Sequence, residues 1–293
     1  MAKVPRLSPA EADAAHAAAQ KVVEVHRRIA AYLRHGMTPG QIDTWIGRLL
    51  DDIHVQSCFK GYVVAGHPAF PSHACLSVNE CVVHGTAGYY RAPLKAGDVL
   101  KVDIGVWHTV GKDRWVGDAG WTYVFGQPSP LVSRMMECGK VSLRRGIAAM
   151  QAGRPYLDWA VAVQDTVEKE YGFHCVENWG GHGIGKKVDD KSKRGLHLPP
   201  HLLNHRALSP DGWTESGMKW EPGNLVAVEP MIGATTGKTM QKPFEFNKRQ
   251  TDWPVFIADG SLAVHYEHDV LITEKGPWVL TEGMEEIRDI VTE

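Results

Sequence analysis

Four acids and one histidine occupy positions where a charged or polar side chain is costly. Each lies in or beside an apolar run, and apolar runs of this length are typical of buried strands. A buried carboxylate loses its hydration, so it needs a cation or several hydrogen-bond donors in place of water. The five residues are Asp103 in VLKVDIGV, Asp118 shortly before WTYVF, Glu229 in LVAVEPM, Glu267 in AVHYEHDVLI and His182 in WGGHGIG.

The chemistry of this set points to metal ions. Taken singly, an acid at a strand end is usually salt-bridged or solvated, and a lone histidine is usually a satisfied polar residue. Four acids brought together would repel one another strongly without a counter-ion. Two divalent ions with bridging carboxylates would satisfy that much anionic oxygen better than one. We therefore predict two divalent metal ions (Co, Mn, Fe or Zn), and a single imidazole among oxygen donors favours Mn, Fe or Co over a thiolate zinc site.

The bulk composition is that of an ordinary globular protein. The 293 residues are 43% hydrophobic and 23% charged, which allows a sizeable core and argues against disorder. A formal net charge of −2 gives no electrostatic reason to expect a nucleic-acid or lipid ligand. The five cysteines form no C-x-x-C pair, and no apolar stretch approaches the length of a membrane span. We expect reduced thiols in a cytoplasmic protein with no membrane partner.

Helix-start signals define the elements that must position these residues. Ser8-Pro9-Ala10-Glu11 and Thr38-Pro39-Gly40-Gln41 each combine a capping hydroxyl, a proline in the first turn and a residue suited to a capping box. The first helix is expected to run to about Arg34. The second should place an apolar face, made by Ile42, Trp45, Ile46 and Leu49, against the core. Two further helices are predicted, one from Ser129-Pro130 and one that follows Ala152-Gly153-Arg154-Pro155 and ends near Gly172.

The chain also contains two similar halves, at about 8–126 and 129–280. The segment LKAGDVLKVDIGV (94–106) resembles WEPGNLVAVEPMIG (220–233), and in both a glycine precedes the buried acid by six positions. An internal repeat of this kind predicts two helix–helix–strand units related by a pseudo-twofold axis. We expect an α+β fold with these units around a central antiparallel sheet, in a single catalytic domain spanning 1–293.

The whole chain resembles the methionine aminopeptidases of the pita-bread fold, and their compact, bacterial-like type I form in particular. No long insertion separates His182 from Glu229, and no cysteine-rich zinc segment precedes the domain; both features favour type I. The segments that carry the resemblance agree in order, spacing and flanking residues. They are LSVNECVVHG (76–85), GDVLKVDIGV (97–106), VGDAGWTYVF (116–125), GGHGIG (180–185), GNLVAVEPMI (223–232) and HYEHDVLIT (265–273).

The resemblance implies a role for each site residue. His84 and His197 would contact the scissile peptide and stabilise the developing oxyanion, while Glu229 would pass a proton from water towards the leaving amine. His201 and His205 compete with His197, because the loop before it is lengthened and Leu198-Pro199 replaces the acidic pair of relatives. The implied metal ligands are Asp103, Asp118, His182, Glu229 and Glu267. The implied methionine pocket is lined by Cys75, Phe70, Tyr62 and Trp253.

Several departures from the family pattern are visible. Ala119 follows Asp118 where relatives usually carry a threonine, which removes a hydroxyl that could support the metal ligands. The interval between Asp103 and Asp118 is long and predicts an extended hairpin. Three segments are longer than in relatives, at 107–117, 186–196 and 238–260.

The implied function is that of a dinuclear-metal aminopeptidase, a cytoplasmic hydrolase and metalloprotease. It would remove the initiator methionine from nascent proteins with small second residues, at the ribosome and as a monomer. Two alternatives stay open. One is an Xaa-Pro peptidase of the same fold, and the other is a catalytically attenuated pita-bread protein that binds ribosomes or another partner.

Overall fold

Four α-helices are present in the computed structural model, which describes residues 4–187, 195–209 and 211–292. Ser8 with Glu11 and Thr38 with Gln41 form the two predicted capping boxes. The first helix ends two residues before the predicted end, because the backbone of Leu33 is already extended (ψ 134°). The helices are α1 (Pro9–Tyr32), α2 (Pro39–Asp52), α3 (Pro130–Ala149) and α4 (Leu157–Gln164), which continues as a π-helical segment over Asp165–Glu170.

The strands are mostly short, apart from two long ones in the first half. In chain order the described strands are β1 (Gln56–Ser57), β2 (Cys75–Val78), β3 (Cys81–Val83), β4 (Val99–Val110), β5 (Asp113–Phe125), β6 (His174–Cys175), β7 (His182–Gly183), β8 (Leu198–His201), β9 (Leu225–Val228), β10 (Met231–Gly233), β11 (Thr239–Pro243), β12 (Thr251–Ile257), β13 (Ala263–His265), β14 (His268–Thr273), β15 (Gly276–Val279) and β16 (Ile290–Val291).

Within the described residues these strands form several sheets around the site. One sheet has the order β1-β4-β5-β16 with β2 also beside β4, and another has the order β15-β14-β9-β7-β8. Two three-stranded sheets, β13-β10-β6 and β11-β12-β3, complete the set. The pairs are antiparallel except for β16 with β5. Strands β9 and β10 are separated at Glu229-Pro230, where Pro230 has no N–H to donate. Strands β13 and β14 are separated at Tyr266-Glu267.

The predicted long hairpin between Asp103 and Asp118 is confirmed. Strands β4 and β5 pair without interruption from Val99 opposite Val124 to Val110 opposite Asp113. Helix α1 packs across this hairpin with a face of small and branched residues that are almost fully buried. The register of the hairpin therefore fixes the face of the sheet on which each of its side chains lies.

Helix α2 packs beside α1 and contributes to the same core. Ile42, Ile46 and Leu49 are buried, as predicted from their spacing. Trp45 is only partly buried and stacks on Tyr32 of α1, with ring centroids 4.0 Å apart. No helix in the described ranges is long and apolar enough to cross a membrane.

Of the three lengthened segments, two are described in full. Residues 107–117 extend the β4–β5 hairpin, and 238–260 contain the β11–β12 hairpin. The latter is fixed to the loop before β2, because the Thr251 N–H donates to the Gly66 carbonyl (2.9 Å) and the Gln250 side chain donates to the His67 carbonyl (3.0 Å). In the third segment, residues 188–194 lie outside the described residues.

Candidate metal centre and substrate pocket

Asp103 and Asp118 project from the same face of the β4–β5 hairpin. The register places Asp103 opposite Gly120 and Asp118 opposite Gly105, so the two Asp-x-Gly triplets face each other in reverse order. Residues directly opposite in an antiparallel pair share a face, and each acid therefore has a glycine as its cross-strand neighbour. A Cβ on Gly105 would lie 3.1 Å from Asp118 Oδ1. The glycines leave the space in which the two carboxylates lie.

Glu229 and Glu267 lie where the chain crosses between two sheets. Glu229 follows β9 and precedes β10, while Glu267 follows β13 and precedes β14. Strand β9 pairs with β14 in one sheet, and β10 pairs with β13 in the other. Each glutamate therefore lies in the short break between two strands, at the point where the chain passes from one sheet to the other. This crossing brings acids that are 38 positions apart in the sequence to the same place beside the hairpin.

His182 is the imidazole that the sequence predicts for the site. It lies in β7, opposite Ala227 of β9, and is 6% exposed. Its Nδ1 is 3.1 Å from the carbonyl oxygen of Gly183, which places the ring proton on Nδ1. The other nitrogen, Nε2, is 3.8 Å from Glu229 Oε1. Such an orientation, with one ring nitrogen anchored and the other free, is typical of a metal ligand.

The electrostatics of the acids show that a positive charge is needed. Burial raises the pKa of Asp103 to about 7. The pKa values of Asp118, Glu229 and Glu267 lie well above their usual range, through burial first and then through repulsion by neighbouring acids. Burial holds the pKa of His182 well below its usual value, so its imidazole is neutral. The raised pKa values favour the protonated form of these acids when no cation is bound, and a divalent ion would displace those protons.

The donor set fits divalent metal ions. Asp103 Oδ1 and Asp118 Oδ1 are buried and have no hydrogen-bond partner among the described residues, which is costly unless a cation is bound. Two groups of three donors, each with all its ligand atoms within 4.8 Å of one another, occur in the described part of the chain. They share one member, Glu267. The groups are Asp118, His182 and Glu267, and Glu229, His265 and Glu267.

An apolar pocket opens directly above these donors, with a volume of about 340 Å³. Cys75 pairs with Asp103 across β2 and β4, so its thiol lies beside the acid. Phe70 and Trp253 pack edge to face, with ring centroids 5.3 Å apart, and the Trp253 indole N–H donates to the Pro68 carbonyl (2.8 Å). The predicted pocket residues Cys75, Phe70, Tyr62 and Trp253 all line this cavity.

His84 and His197 also line the pocket. Both have a positive φ, 57° and 52°, an uncommon conformation for residues other than glycine and one that is found at functional sites. The His84 ring lies edge to face against Trp179 (5.1 Å). His197 lies at the exposed rim, where its ring centroid is 4.3 Å from that of His182 and its Nδ1 is 2.8 Å from the Tyr62 hydroxyl.

The two histidines that compete with His197 do not line the described pocket. His201 is exposed at the end of β8. His205 is buried elsewhere, and its Nε2 accepts a hydrogen bond from the backbone N–H of Asn178 (3.2 Å). Of these three histidines, His197 is the one that lines the described pocket.

Two buried polar residues beside the site were not singled out from the sequence. His265 lies close to Glu229, and the carboxylate of Asp269 accepts a hydrogen bond from the Asp118 backbone N–H (2.9 Å). Both are in the run AVHYEHDVLI, where polar residues within an apolar strand were the available signal. Side chains alternate between the two faces of a strand, and Asp118 and Gly120 face the site. Ala119, which lies between them, therefore faces α1.

Comparison with known proteins gives the family. The model of metallopeptidase family M24 matches residues 13–274. The chain belongs to this family, because the match covers most of its length. This confirms the predicted pita-bread fold, and a metallopeptidase requires a divalent metal of the kind that the donor groups fit.

The similar proteins include methionine aminopeptidases and proline-specific peptidases. Methionine aminopeptidase 1 of Mycobacterium tuberculosis is 32% identical over 285 residues, which cover 96% of each chain. The crystal structure of the methionine aminopeptidase of Thermotoga maritima superposes with a TM-score of 0.79 at 27% identity, covering 95% of this chain and 99% of that one. The Xaa-Pro dipeptidase of Bacillus anthracis shares the fold with a TM-score of 0.68 at 18% identity, but only 64% of that chain is covered.

Proposed function

We propose that this chain is a methionine aminopeptidase that hydrolyses the peptide bond after the N-terminal methionine of nascent polypeptides. The observation that carries the proposal is the placement of four buried acids and His182 at the base of one apolar pocket of about 340 Å³. A methionine side chain is long, unbranched and polarizable, and it suits aromatic and sulfur-containing walls. The methionine aminopeptidases similar to this chain over almost its full length support the same conclusion.

The metal centre is proposed to hold two divalent ions, from among Mn, Fe, Co and Zn. The ligands are the predicted set of Asp103, Asp118, His182, Glu229 and Glu267. When bound, the ions supply Lewis-acid activation of water and a charge that anchors the free amino group of the substrate. Anchoring of the amino group would restrict cleavage to the first residue.

The side chains of the protein have separate tasks in the reaction. Glu229 is 8% exposed and lines the pocket; its proposed task is to take a proton from the attacking water and to deliver it to the leaving amine. His84 and His197 flank the cavity and donate to the scissile carbonyl as negative charge develops on its oxygen. Phe70 and Trp253 exclude water from the methionine side chain and fix its direction.

The substrates are nascent polypeptides with a small second residue, and the place of action is the cytoplasm, at the ribosome. The protein is proposed to act as a monomer, with no nucleic-acid ligand. All five cysteines are free and buried, which agrees with a reducing compartment.

The Xaa-Pro peptidase alternative is less favoured. The proline-specific peptidase has substantial chain beyond the part that this protein covers, and aromatic side chains line the pocket here. The non-catalytic alternative is also less favoured, because a binding module has no need for four buried acids with raised pKa values.

A substrate comparison tests the proposal. The metal-free protein is loaded anaerobically with Mn²⁺, Fe²⁺, Co²⁺ or Zn²⁺ and is assayed with Met-Ala-Ser, Met-Trp-Ser and an Ala-Pro dipeptide. Release of methionine from Met-Ala-Ser, with little from Met-Trp-Ser and no cleavage of Ala-Pro, is the expected result. Cleavage of Ala-Pro alone would favour the Xaa-Pro peptidase. Folded, metal-loaded protein that cleaves none of them would favour the binding module.

A further inference from the structure

His265 is held rigidly at the end of β13. It is 0% exposed, and it pairs with Met231 across β10 and β13. The Thr122 hydroxyl fixes its backbone at two points, by donating to the His265 carbonyl (2.7 Å) and accepting from the His265 N–H (3.0 Å). The direction of the imidazole is therefore set by the junction of β13 with the β4–β5 hairpin.

Neither ring nitrogen of His265 has a hydrogen-bond partner among the described residues. Two other buried histidines in the described part of the chain each have at least one ring nitrogen within hydrogen-bonding distance of a partner. Both ring nitrogens of His26 lie within hydrogen-bonding distance of a partner, the Tyr123 hydroxyl (3.1 Å) and the Ala119 carbonyl (3.0 Å). His268, three positions after His265, is 2.7 Å from the Thr281 hydroxyl through Nδ1. A buried imidazole without a partner is costly, and a metal ion bound at Nε2 would remove the part of that cost that belongs to this nitrogen.

The unpartnered nitrogen lies beside an acid of the site. His265 Nε2 is 3.2 Å from Glu229 Oε2, while the other oxygen of the same carboxylate is 3.8 Å from His182 Nε2. The Nε2–Oε2 contact lacks the direction of a hydrogen bond. Two neighbouring ligands with bond lengths of about 2.1 Å to one ion are separated by roughly 3.0–3.4 Å. The separation at Glu229 and His265 is within this range.

Space for this arrangement is provided by Gly120. A Cβ at this position would lie 2.8 Å from His265 Cε1 and 3.1 Å from Glu267 Oε2. His265 and Glu267 therefore lie together above the glycine of the second Asp-x-Gly triplet. With Glu229 they form one of the two three-donor groups, and His182 belongs to the other.

We propose that His265 is a second imidazole ligand of the metal centre, in the donor group that it forms with Glu229 and Glu267. The proposal rests on the metal centre assigned under the proposed function and adds a ligand to the five implied by the sequence. Because imidazole suits iron, cobalt and zinc better than it suits magnesium or calcium, a nitrogen donor in each group would narrow the range of metals that bind both positions.

A count of coordinated histidines tests this ligand directly. In proton NMR spectra of the Co²⁺-loaded protein, each coordinated imidazole gives a strongly shifted N–H signal that is lost in D₂O. The wild-type protein should show one such signal that disappears in His182→Gln and another that disappears in His265→Gln. The matched control is His268→Gln, which removes a buried histidine from the same segment and should retain both signals.

Metal titration provides the second measurement. Calorimetric titration of metal-free protein with Mn²⁺ should show at least about tenfold weaker binding of one ion in His265→Gln, with His268→Gln close to wild type. The proposal is overturned if His265→Gln keeps every shifted N–H signal of the wild type, or if the wild type shows no signal assignable to His265. Failure of the proposed function would be distinct: both imidazoles would bind metal while Met-Ala-Ser is not cleaved.

Discussion

The backbone N–H of Glu267 donates a hydrogen bond to the carbonyl of Gly120, at 2.8 Å. This bond fixes the last acid of the site to the hairpin that carries Asp103 and Asp118. A second bond, from the Asp118 N–H to the Asp269 carboxylate, connects the same two segments two positions further along each strand. The relative positions of the acids therefore depend on how β13 and β14 dock against the hairpin.

Glu267 is predicted to be needed for both metal ions, because it is the member common to the two donor groups. Glu267→Gln should lower the metal bound per chain from about two ions to less than one. Equilibrium dialysis against Mn²⁺ with metal analysis measures this. The control is Glu274→Gln, at an exposed acid after β14. Two ions still bound by Glu267→Gln with unchanged affinity would show that Glu267 is not shared.

Gly120→Ala is predicted to disrupt the centre without removing a ligand. The added Cβ would overlap His265 and Glu267, and overpacking of this kind costs about 1–3 kcal/mol. Mn²⁺ affinity and methionine release should each fall at least about tenfold. Gly88→Ala is the matched control, since its Cβ would meet nothing within 4 Å. Wild-type metal affinity in Gly120→Ala would contradict the geometry of the site.

Tyr62→Phe is predicted to reduce catalysis by removing the contact with His197 Nδ1 (2.8 Å). A hydrogen bond of this type is worth about 0.5–1.5 kcal/mol, so kcat/KM for Met-Ala-Ser should fall roughly 2- to 12-fold. Mn²⁺ affinity should be unchanged, because Tyr62 belongs to neither donor group. Tyr32→Phe, on α1, serves as the control. An unchanged kcat/KM would show that the Tyr62 hydroxyl does not support the role proposed for His197.

The stabilisation that Mn²⁺ provides is predicted to increase with pH. In the metal-free protein the pKa of Asp103 is raised to about 7 and those of the other three acids lie higher than usual. The folded state then binds more protons than the unfolded chain, so the free energy of unfolding contributed by these acids falls as pH rises through the folded pKa values. Bound Mn²⁺ displaces these protons, so the metal-loaded protein does not lose this free energy of unfolding as the pH rises.

Denaturant titrations with and without a fixed free concentration of Mn²⁺, at pH 6, 7 and 8, measure this effect. The gain in unfolding free energy should grow by about 1.4 kcal/mol per pH unit for each proton that the metal displaces. The buried histidines contribute little above pH 7, because their unfolded-state pKa is near 6.5. A gain that is equal at all three pH values would mean that the acids are already ionised in the metal-free protein.

Much of this site could be predicted from local sequence. The Asp-x-Gly triplets and apolar flanks of Asp103 and Asp118 indicate strands with buried acids, and the capping signals gave the starts of α1, α2 and α3 correctly. These features depend on neighbouring residues, whose chemistry is readable along the chain.

The crossing that unites Glu229 with Glu267 could not be predicted in the same way. It depends on β9 pairing with β14 and β10 with β13, and long-range pairing of short strands has no local signal. His265 was missed for the same reason. Its two-residue spacing from Glu267 is visible, but its contact with Glu229 arises only from the pairing of the two sheets.

The measurement that tests the central claim most directly is methionine release by one sample taken through metal removal and reloading. Wild-type protein and Glu229→Gln are stripped of metal, checked for retained fold by circular dichroism, and assayed with Met-Ala-Ser before and after addition of Mn²⁺. We predict no release by either protein without metal, release by the wild type after Mn²⁺, and less than about 1% of that rate in the variant. Release that survives complete metal removal, or equal release by Glu229→Gln, would contradict the account.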